Sequence, residues 1–217
     1  MTGFCVGEGG RIFRTTNAGG VWTPLSSGTV RTLSAVRFPT PTTGWVVGTF
    51  GQVYRTTDAG NTWNMIHDET PVASYLTSVH FPDPANGWTV GVRGVILHTS
   101  NGGASWTQQS SGVTKHLQGV FFRNASLGWV VGKSGLILRT TNGGTTWSAI
   151  PTGNRLSYNA VHFVDNDTGF IAGHRGKVFK STDGGLTWAR LLTGSSKKPY
   201  GLDFVSTTRG WAGGASG

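Results

Sequence analysis

Carboxylates are the first residues to consider for catalysis, because a glycosidase needs two of them about 5 to 10 Å apart across the scissile bond. The 217-residue chain has nine Asp and Glu residues. Asp58 and Asp183 lie in turn motifs, and Asp68 and Glu69 are adjacent, as in a solvated loop tip. Three more lie in loops beside Pro, Asn or Gly: Asp83, Asp165 and Asp167. No catalytic pair is evident, so we expect the protein not to be an enzyme.

Histidine and cysteine give no pattern for a metal or a nucleophile. None of the six histidines has HxxxH spacing to another, and there is no CxxC pair. Cys5 is the single cysteine, which excludes an intrachain disulfide and predicts a small buried apolar side chain. Neither a P-loop nor a dinucleotide fingerprint is present. We therefore expect no metal and no cofactor.

Positive charge is the main indication of a binding function. Eighteen Lys and Arg against nine acids give a formal net charge of +9. Such a surface attracts an acidic protein segment, a nucleic acid or an anionic glycan. Nucleic acid is not expected, because stacking aromatics interleaved with the basic residues are not evident. Solubility alone is the other explanation of scattered loop cations.

An internal repeat determines where these residues lie. Five segments align without gaps: RTTNAGGVW (14–22), RTTDAGNTW (55–63), HTSNGGASW (98–106), RTTNGGTTW (139–147) and KSTDGGLTW (180–188). Their closing tryptophans, 41, 43, 41 and 41 residues apart by subtraction, are Trp22, Trp63, Trp106, Trp147 and Trp188. A Gly-aromatic marker begins each repeat. The repeats cover residues 3–43, 44–86, 87–127, 128–168 and 169–209, and 210–217 begins a further repeat or closes a ring.

Within each repeat the apolar residues alternate with period two, which predicts four short strands. In one copy these are LTSVHF (76–81), GWTVG (87–91), VILHTS (95–100) and WTQQS (106–110), which we name strands A, B, C and D. Strands B and C are joined by a Gly-x-x-Gly hairpin in every copy. A four-stranded unit of about forty residues is typical of a propeller blade. We therefore predict an all-β chain, 1–217, folded as a single β-propeller domain that is either a five-bladed ring or part of a larger propeller.

The repeated TTNGGTTW and STDGGLTW segments resemble the Asp-box, S/T-x-D-x-G-x-T-W, of sialidases, sortilin-type receptors and photosystem II assembly factors. The longer unit VxFxxxxxGWxVGxxGxIxRTTDGGxTW is most similar to the last family. This resemblance implies a structural turn in which an oxygen accepts backbone N–H bonds and the repeat tryptophan packs between blades. The oxygen belongs to Asn17, Asp58, Asn101, Asn142 or Asp183.

A sialidase-like glycosidase is the less favoured alternative. The Asp-box sialidases need an arginine triad, a Tyr/Glu nucleophile pair, an acidic proton donor and a Phe-Arg-Ile-Pro type motif. Glu8 and Glu69 are the only glutamates, and residues 10–13, GRIF, are not that motif. The sequence assembles no such active site.

Two sets of basic residues are candidates for binding. In a propeller the B-to-C and D-to-A loops share one face, and the first set lies in these loops: Arg31, Arg93, Lys115, Lys133, Arg155, Arg175, Lys197 and Lys198. The arginines are favoured because guanidinium can bind a carboxylate through two hydrogen bonds. The second set precedes the Asp-box and should project to one side of strand C: Arg14, Arg55, Arg139 and Lys180.

The resemblance implies an assembly factor or chaperone-like binder that holds an acidic segment of a membrane protein through an arginine-rich patch. The alternatives are a glycan-binding, lectin-like propeller and a structural repeat domain of a secreted protein. The tips of the B-to-C loops differ between copies (Glu8, Thr49, Val92, Lys133, His174), with Phe50 the sole aromatic beside them. This favours one asymmetric site over a repeated pocket.

Neither a signal peptide nor a membrane-spanning apolar stretch is evident. An exported compartment (thylakoid lumen, periplasm or extracellular space) is the expectation, with membrane association only through a partner.

Overall fold

The computed structural model describes residues 1–67, 75–194 and 196–214, where the regular elements are short β-strands and three-residue 3-10 turns. Asp68, Glu69 and the last three residues of segment 210–217 lie outside the described residues. Two compact units divide the chain, Met1–Gln108 and Gln109–Gly217. None of the helices in the described ranges has the length and apolar character needed to span a membrane.

The first unit contains three antiparallel sheets. Sheet 1 has three strands, β1 (Gly3–Val6), β2 (Ile12–Thr15) and β3 (Thr23–Leu25). Sheet 2 has four, β4 (Leu33–Arg37), β5 (Gly44–Gly48), β6 (Val53–Thr56) and β7 (Asn64–His67). Sheet 3 has β8 (Leu76–His80), β9 (Gly87–Gly91), β10 (Ile96–Thr99) and β11 (Thr107–Gln109), which ends at the first residue of the second unit. The 3-10 turns are Glu8–Gly10, Thr49–Gly51 and Val92–Gly94.

The second unit continues the same pattern. Sheet 4 consists of β12 (Leu117–Phe122), β13 (Gly128–Gly132), β14 (Ile137–Thr140) and β15 (Ser148–Ala149). Sheet 5 consists of β16 (Tyr158–Phe163), β17 (Gly169–Gly173), β18 (Val178–Ser181) and β19 (Ala189–Leu191), with a 3-10 turn at His174–Gly176. Sheet 6 has β20 (Pro199–Phe204) and β21 (Gly210–Gly214).

Each four-stranded sheet runs A, B, C, D in chain order, which confirms the predicted propeller blades. The sequence repeat is one strand out of phase with the sheets. The repeat that begins at Gly44 supplies strands B to D of sheet 2 and then strand A of sheet 3. Each of these repeats therefore links two sheets that follow each other in the chain.

The Gly-aromatic marker has a packing reason. A Cβ atom on Gly128 would lie 2.5 Å from the ring of Phe122, the last residue of strand A in the same sheet. A Cβ atom on Gly87 or on Gly169 would clash in the same way with the ring of Phe81 or Phe163. Only glycine allows strand B to approach the phenylalanine this closely.

Aromatic side chains join successive sheets within each unit. Trp129 of β13 stacks on Phe163 of the following sheet, with 3.6 Å between ring centroids. Trp188, the Asp-box tryptophan, meets the same phenylalanine edge-on at 5.8 Å. Trp45 and Phe81 repeat the stack in the first unit at 3.8 Å. The strand-B aromatic of one sheet thus packs on the strand-A phenylalanine of the next.

Sheet 1 departs from two sequence expectations. Trp22 is 43% exposed whereas Trp63 is 9% exposed, because sheet 1 has no A strand and so offers no phenylalanine to Trp22. Cys5 is exposed, so the prediction that it is buried was wrong. Val46, at the same position of β5, is fully buried in a cluster with Ile12 of sheet 1. No other sheet of the first unit covers the corresponding face of β1.

Candidate functional site

The B-to-C turns and D-to-A loops meet at one end of each sheet, as predicted. The Lys133 N–H donates to the His116 carbonyl at 3.0 Å, and the His174 N–H donates to the Ser157 carbonyl at 2.8 Å. The corresponding turn of sheet 2, at Thr49, makes the same bond. We call this the loop end of a sheet; the described residues at the loop ends are the turns 8–10, 49–51, 92–94, 133–136 and 174–176 and the loop residues 26–32, 75, 110–116, 150–157, 192–194 and 196–198.

The opposite end carries the C-to-D turns and the A-to-B loops, and we call it the Asp-box end. The Gly143 N–H donates to the Ser126 carbonyl at 2.9 Å, and the Gly184 N–H donates to the Asp167 carbonyl at 2.9 Å. Each sheet therefore has two distinct ends, and the two basic sets can be assigned to one or the other.

The first basic set lies at the loop end of its respective unit. Arg31 and Arg93 belong to the first unit, and the others belong to the second: Lys115, Lys133, Arg155, Arg175, Lys197 and Lys198. All are exposed except the half-buried Lys198. Glu8 is an exposed acid at this end of the first unit.

In the second unit the acids lie away from the loop end, whereas Lys and Arg occur at both ends. The described loop-end residues of this unit include no Asp or Glu. Its acids are Asp165 and Asp167 in an A-to-B loop, Asp183 in an Asp-box and Asp203 within β20. The loop end of the second unit is therefore cationic without a nearby carboxylate of its own.

Left-handed backbone positions put unexpected residues at the turn tips. Phe50, Arg93, Ser134 and Arg175 have φ of 59°, 59°, 59° and 61°. The sequence pattern had placed the tip one residue earlier, at Thr49 and its equivalents. A left-handed conformation costs a residue with a Cβ atom about 1–2 kcal/mol, and such strain is most often retained at functional positions. Two of the favoured arginines and one phenylalanine occupy it.

Two recesses at the loop end are built in the same way. The first, about 630 Å³, is lined by the turn Gly9–Arg11 and the loop from Leu25 to Arg31, including Val30. The second, about 360 Å³, is formed by the equivalent turn and loop of sheet 4. The same turn and loop thus form a recess in two sheets, whereas the sequence predicted no repeated pocket. The side chains that line the two recesses do differ, because Arg11 and Val30 in one correspond to Leu136 and Arg155 in the other.

Three residues of the second basic set reach the next sheet at the Asp-box end. Arg139 Nε donates to the Gly184 carbonyl at 3.0 Å, and Lys180 Nζ donates to the Thr207 carbonyl at 3.2 Å. Arg14 makes the same contact in the first unit.

Two arginines of the second basic set also pack on the strand-B tryptophan of their own sheet. The Arg55 guanidinium lies over the Trp45 ring at 5.6 Å, and Arg139 lies over Trp129 at 6.0 Å. The four residues project to one side of strand C, as predicted, and all are half-buried. Their contacts stabilise sheet packing rather than form an exposed docking surface.

The Asp-box turns have the predicted structural role. Asp58 accepts the N–H of Thr62 at 2.9 Å and the hydroxyls of Thr56 and Thr62 at 2.7 and 2.6 Å. In every copy the side-chain oxygen accepts the backbone N–H of the residue four positions later. The accepting residues are Asn17, Asp58, Asn101, Asn142 and Asp183. These side chains are consequently committed to holding the turn.

Hydrogen bonding to the Thr62 side chain, then to its backbone, lowers the pKa of Asp58 to about 2. Asp183 has its pKa lowered to about 2 in the same way by Thr187. A carboxyl whose pKa is lowered by folding stabilises the protein above its unfolded pKa of about 3.9. That stability is lost as the pH falls toward about 2.

Replacing both carboxylates, in the variant Asp58→Asn/Asp183→Asn, is therefore expected to weaken the loss of stability between about pH 4 and pH 2. Stability at pH 7 should fall by the contribution of the two carboxylates, while the turns still form, since asparagine already holds three of them. Thermal unfolding followed across this range measures the effect. Asn142→Asp is the matched control and should add acid sensitivity. Unchanged pH profiles in both variants would contradict the assignment.

The other loop carboxylates also serve turns. Asp83 accepts the N–H of Ala85 at 2.8 Å, and Asp165 accepts the N–H of Asp167 at 2.9 Å. Asp203, 74% exposed, lies 3.5 Å from His162. Across the part of the chain that the structure describes, no group of three or more His, Cys, Asp and Glu side chains could hold a metal ion.

Comparison with known proteins agrees with this architecture. Among solved structures, YCF48 from Cyanidioschyzon merolae superposes with a TM-score of 0.76 at 19% identity, covering 97% of this chain and 73% of that one. A structure of YCF48 bound to D1 peptide gives 0.55 at 16% identity, covering 97% and 84%. The GH74 enzyme of Niastella koreensis gives 0.73 at 19% identity, covering 93% of this chain and 36% of the enzyme. These likenesses show the propeller fold.

A search of curated proteins finds no match. The family model of the photosynthesis system II assembly factor YCF48, a BNR-type repeat family, matches residues 15–108 and 67–160. Together these matches span residues 15–160, which is more than half of the chain. The chain belongs to the photosynthesis system II assembly factor YCF48 family.

Proposed function

We propose that this protein is a non-enzymatic assembly factor whose loop end holds an acidic segment of a partner protein. The observation that carries the proposal is that the described loop-end residues of the second unit include no acid. Its loop end presents Lys and Arg side chains with no carboxylate among the described residues there. Membership of the assembly factor family and the fold shared with a YCF48 that binds a D1 peptide support a polypeptide as the ligand.

The loop-end arginines are suited to this role. Arg155 and Arg175 are exposed, and neither makes an ion pair within the described parts of the protein. A guanidinium can bind a carboxylate through two parallel hydrogen bonds. Cations clustered without counter-charges also raise the association rate of an acidic segment. The arginines are therefore proposed as the main contacts and the lysines as contributors to the field.

Catalysis is not part of the proposal, although GH74 enzymes share the fold. The carboxylates of Asp58, Asp83, Asp165 and Asp183 accept hydrogen bonds within turns. Such bonds lower their pKa values and keep them ionised, which is opposite to what a general acid needs. This supports a binding protein rather than a glycosidase.

Glycan binding is the second candidate, because the recess at the loop end recurs in sheets 1 and 4. A lectin with one pocket per blade would also repeat the lining side chains, especially aromatics that stack on sugar rings. Here the lining changes from Arg11 and Val30 to Leu136 and Arg155. That difference favours a polypeptide with varied side chains over a repeated sugar.

A pair of capped peptides tests the proposal. One carries several Asp and Glu residues, and the other carries Asn and Gln at the same positions. We expect the acidic peptide to bind at least about tenfold more tightly at low salt, with the difference decreasing between about 50 and 200 mM salt as charges are screened. Calorimetric titration measures both affinities. Equal binding of the two peptides would contradict the proposal, and binding of a glycan array instead would favour the second candidate.

A further inference from the structure

An arginine and a phenylalanine form an exposed cation–π pair at the loop end of the first unit. The Arg31 guanidinium carbon lies 4.4 Å from the centroid of the Phe50 ring. Phe50 is 58% exposed and has a φ of 59°. Bulky side chains are rare in this left-handed conformation. Because most of the Phe50 ring stays in contact with water, its burial contributes little to folding stability. Neither folding nor solubility explains a phenylalanine here.

The contact with the ring leaves hydrogen-bonding capacity on the Arg31 side chain. A guanidinium has five N–H donors, and a contact with a ring face uses none of them as a hydrogen bond to an oxygen. The Arg31 side chain makes no hydrogen bond or ion pair with the residues that the structure describes. Such a pair can therefore contact a carboxylate and an apolar group at the same time.

The recess of about 630 Å³ lies next to this pair, because Arg31 is one of its lining residues. Arg11 adds a second cation to the lining, and Leu25 and Val30 add apolar surface. Val30 is 87% exposed. Glu8 in the adjoining turn is exposed and is not among the lining residues. Cationic and apolar groups thus alternate over a short distance.

We infer that Arg31, Phe50 and this recess form a subsite for a carboxylate flanked by an aromatic side chain in the partner segment. The inference rests on the proposed function and specifies its ligand. Arg31, with Arg11 beside it, binds the carboxylate. The exposed face of Phe50 and the apolar wall at Val30 contact the neighbouring ring. Polypeptides that are acidic but lack an adjacent aromatic residue bind less well.

Two capped acidic peptides of equal charge test this subsite, one with an adjacent Glu-Phe pair and one with Glu-Ser. We expect the wild type to prefer the Glu-Phe peptide about three- to tenfold, which corresponds to one aromatic contact. Phe50→Gly should abolish this preference and still bind the Glu-Ser peptide, since glycine favours the left-handed backbone. Arg31→Gln should weaken the binding of both. Titrations followed by NMR measure each affinity and locate the shifted resonances.

Ser134→Gly is the matched control, because Ser134 occupies the same left-handed position in sheet 4. This variant should keep the full preference for the Glu-Phe peptide. A preference that survives in Phe50→Gly, or equal binding of both acidic peptides to the wild type, would overturn the subsite alone. If neither acidic peptide binds better than its Gln analogue, the proposed function fails, and the subsite with it.

Discussion

Replacing Trp129 with alanine is expected to destabilise the second unit by about 3–5 kcal/mol, as for other buried tryptophans. Trp129 is fully buried. Its ring stacks on Phe163 at 3.6 Å, and its Nε1 donates to the Gly184 carbonyl at 3.1 Å. The variant would lose the packing between sheets 4 and 5 and one of the two donors to that carbonyl, leaving only Arg139 Nε. Urea unfolding followed by circular dichroism measures the loss.

Trp211 gives a matched control, because it occupies the same strand-B position in sheet 6 but is 56% exposed. Trp211→Ala should cost less than about 1 kcal/mol. Trp129→Phe keeps a stacking ring and loses the N–H donor, so its cost should lie between the two. Equal destabilisation by Trp129→Ala and Trp211→Ala would show that the stacked aromatics do not hold the sheets together.

Most of the fold could be predicted from the sequence because the same pattern of strands and turns occurs in five repeats. Alternating apolar residues identify the four strands, and the glycine before each strand-B aromatic marks where that strand passes over a phenylalanine, as at Gly128 and Phe122. The Asp-box predicts the C-to-D turn and also the side-chain oxygen of Asp or Asn that accepts the backbone N–H within it. These features are local or lie within one sheet.

Features that depend on neighbouring sheets could not be read from one repeat. Arg139 was predicted to project from strand C, but its acceptor is the carbonyl of Gly184, 45 residues later in the next sheet. The exposure of Trp22 and Cys5 has a similar origin, since reasoning from a repeat assumes that every copy has both neighbours. Periodicity gives the direction of a side chain, whereas its partner depends on packing between repeats.

The candidate site was predicted in part. Loop position alone was enough to place the exposed arginines at one end of the sheets. The Gly-x-x-Gly pattern does not show which residue of the turn adopts the left-handed conformation. It therefore places Phe50 beside the predicted tip, Thr49, and not at the tip itself. The recesses arise where a D-to-A loop packs against a B-to-C turn, and this contact joins residues far apart in the chain.

Charge reversal at the loop end should have the largest effect on binding. We expect Arg155→Glu/Arg175→Glu to weaken binding of the acidic peptide by at least about tenfold at low salt, since each favourable contact becomes repulsive. Both side chains are exposed, so thermal stability should change little. Calorimetric titration of the wild type and the variant measures the change in affinity.

Docking at the loop end is tested by comparing Arg155→Glu/Arg175→Glu with a second double variant, Arg123→Glu/Arg190→Glu. Arg123 and Arg190 are exposed residues of the same unit that lie in an A-to-B loop and in strand β19, outside the loop end. The two double variants carry the same net charge, so overall attraction is matched and only the position differs. We expect the acidic peptide to lose affinity at least about tenfold more in the loop-end variant. Equal losses in both variants would show that net charge alone attracts the peptide and would contradict a docking site at the loop end.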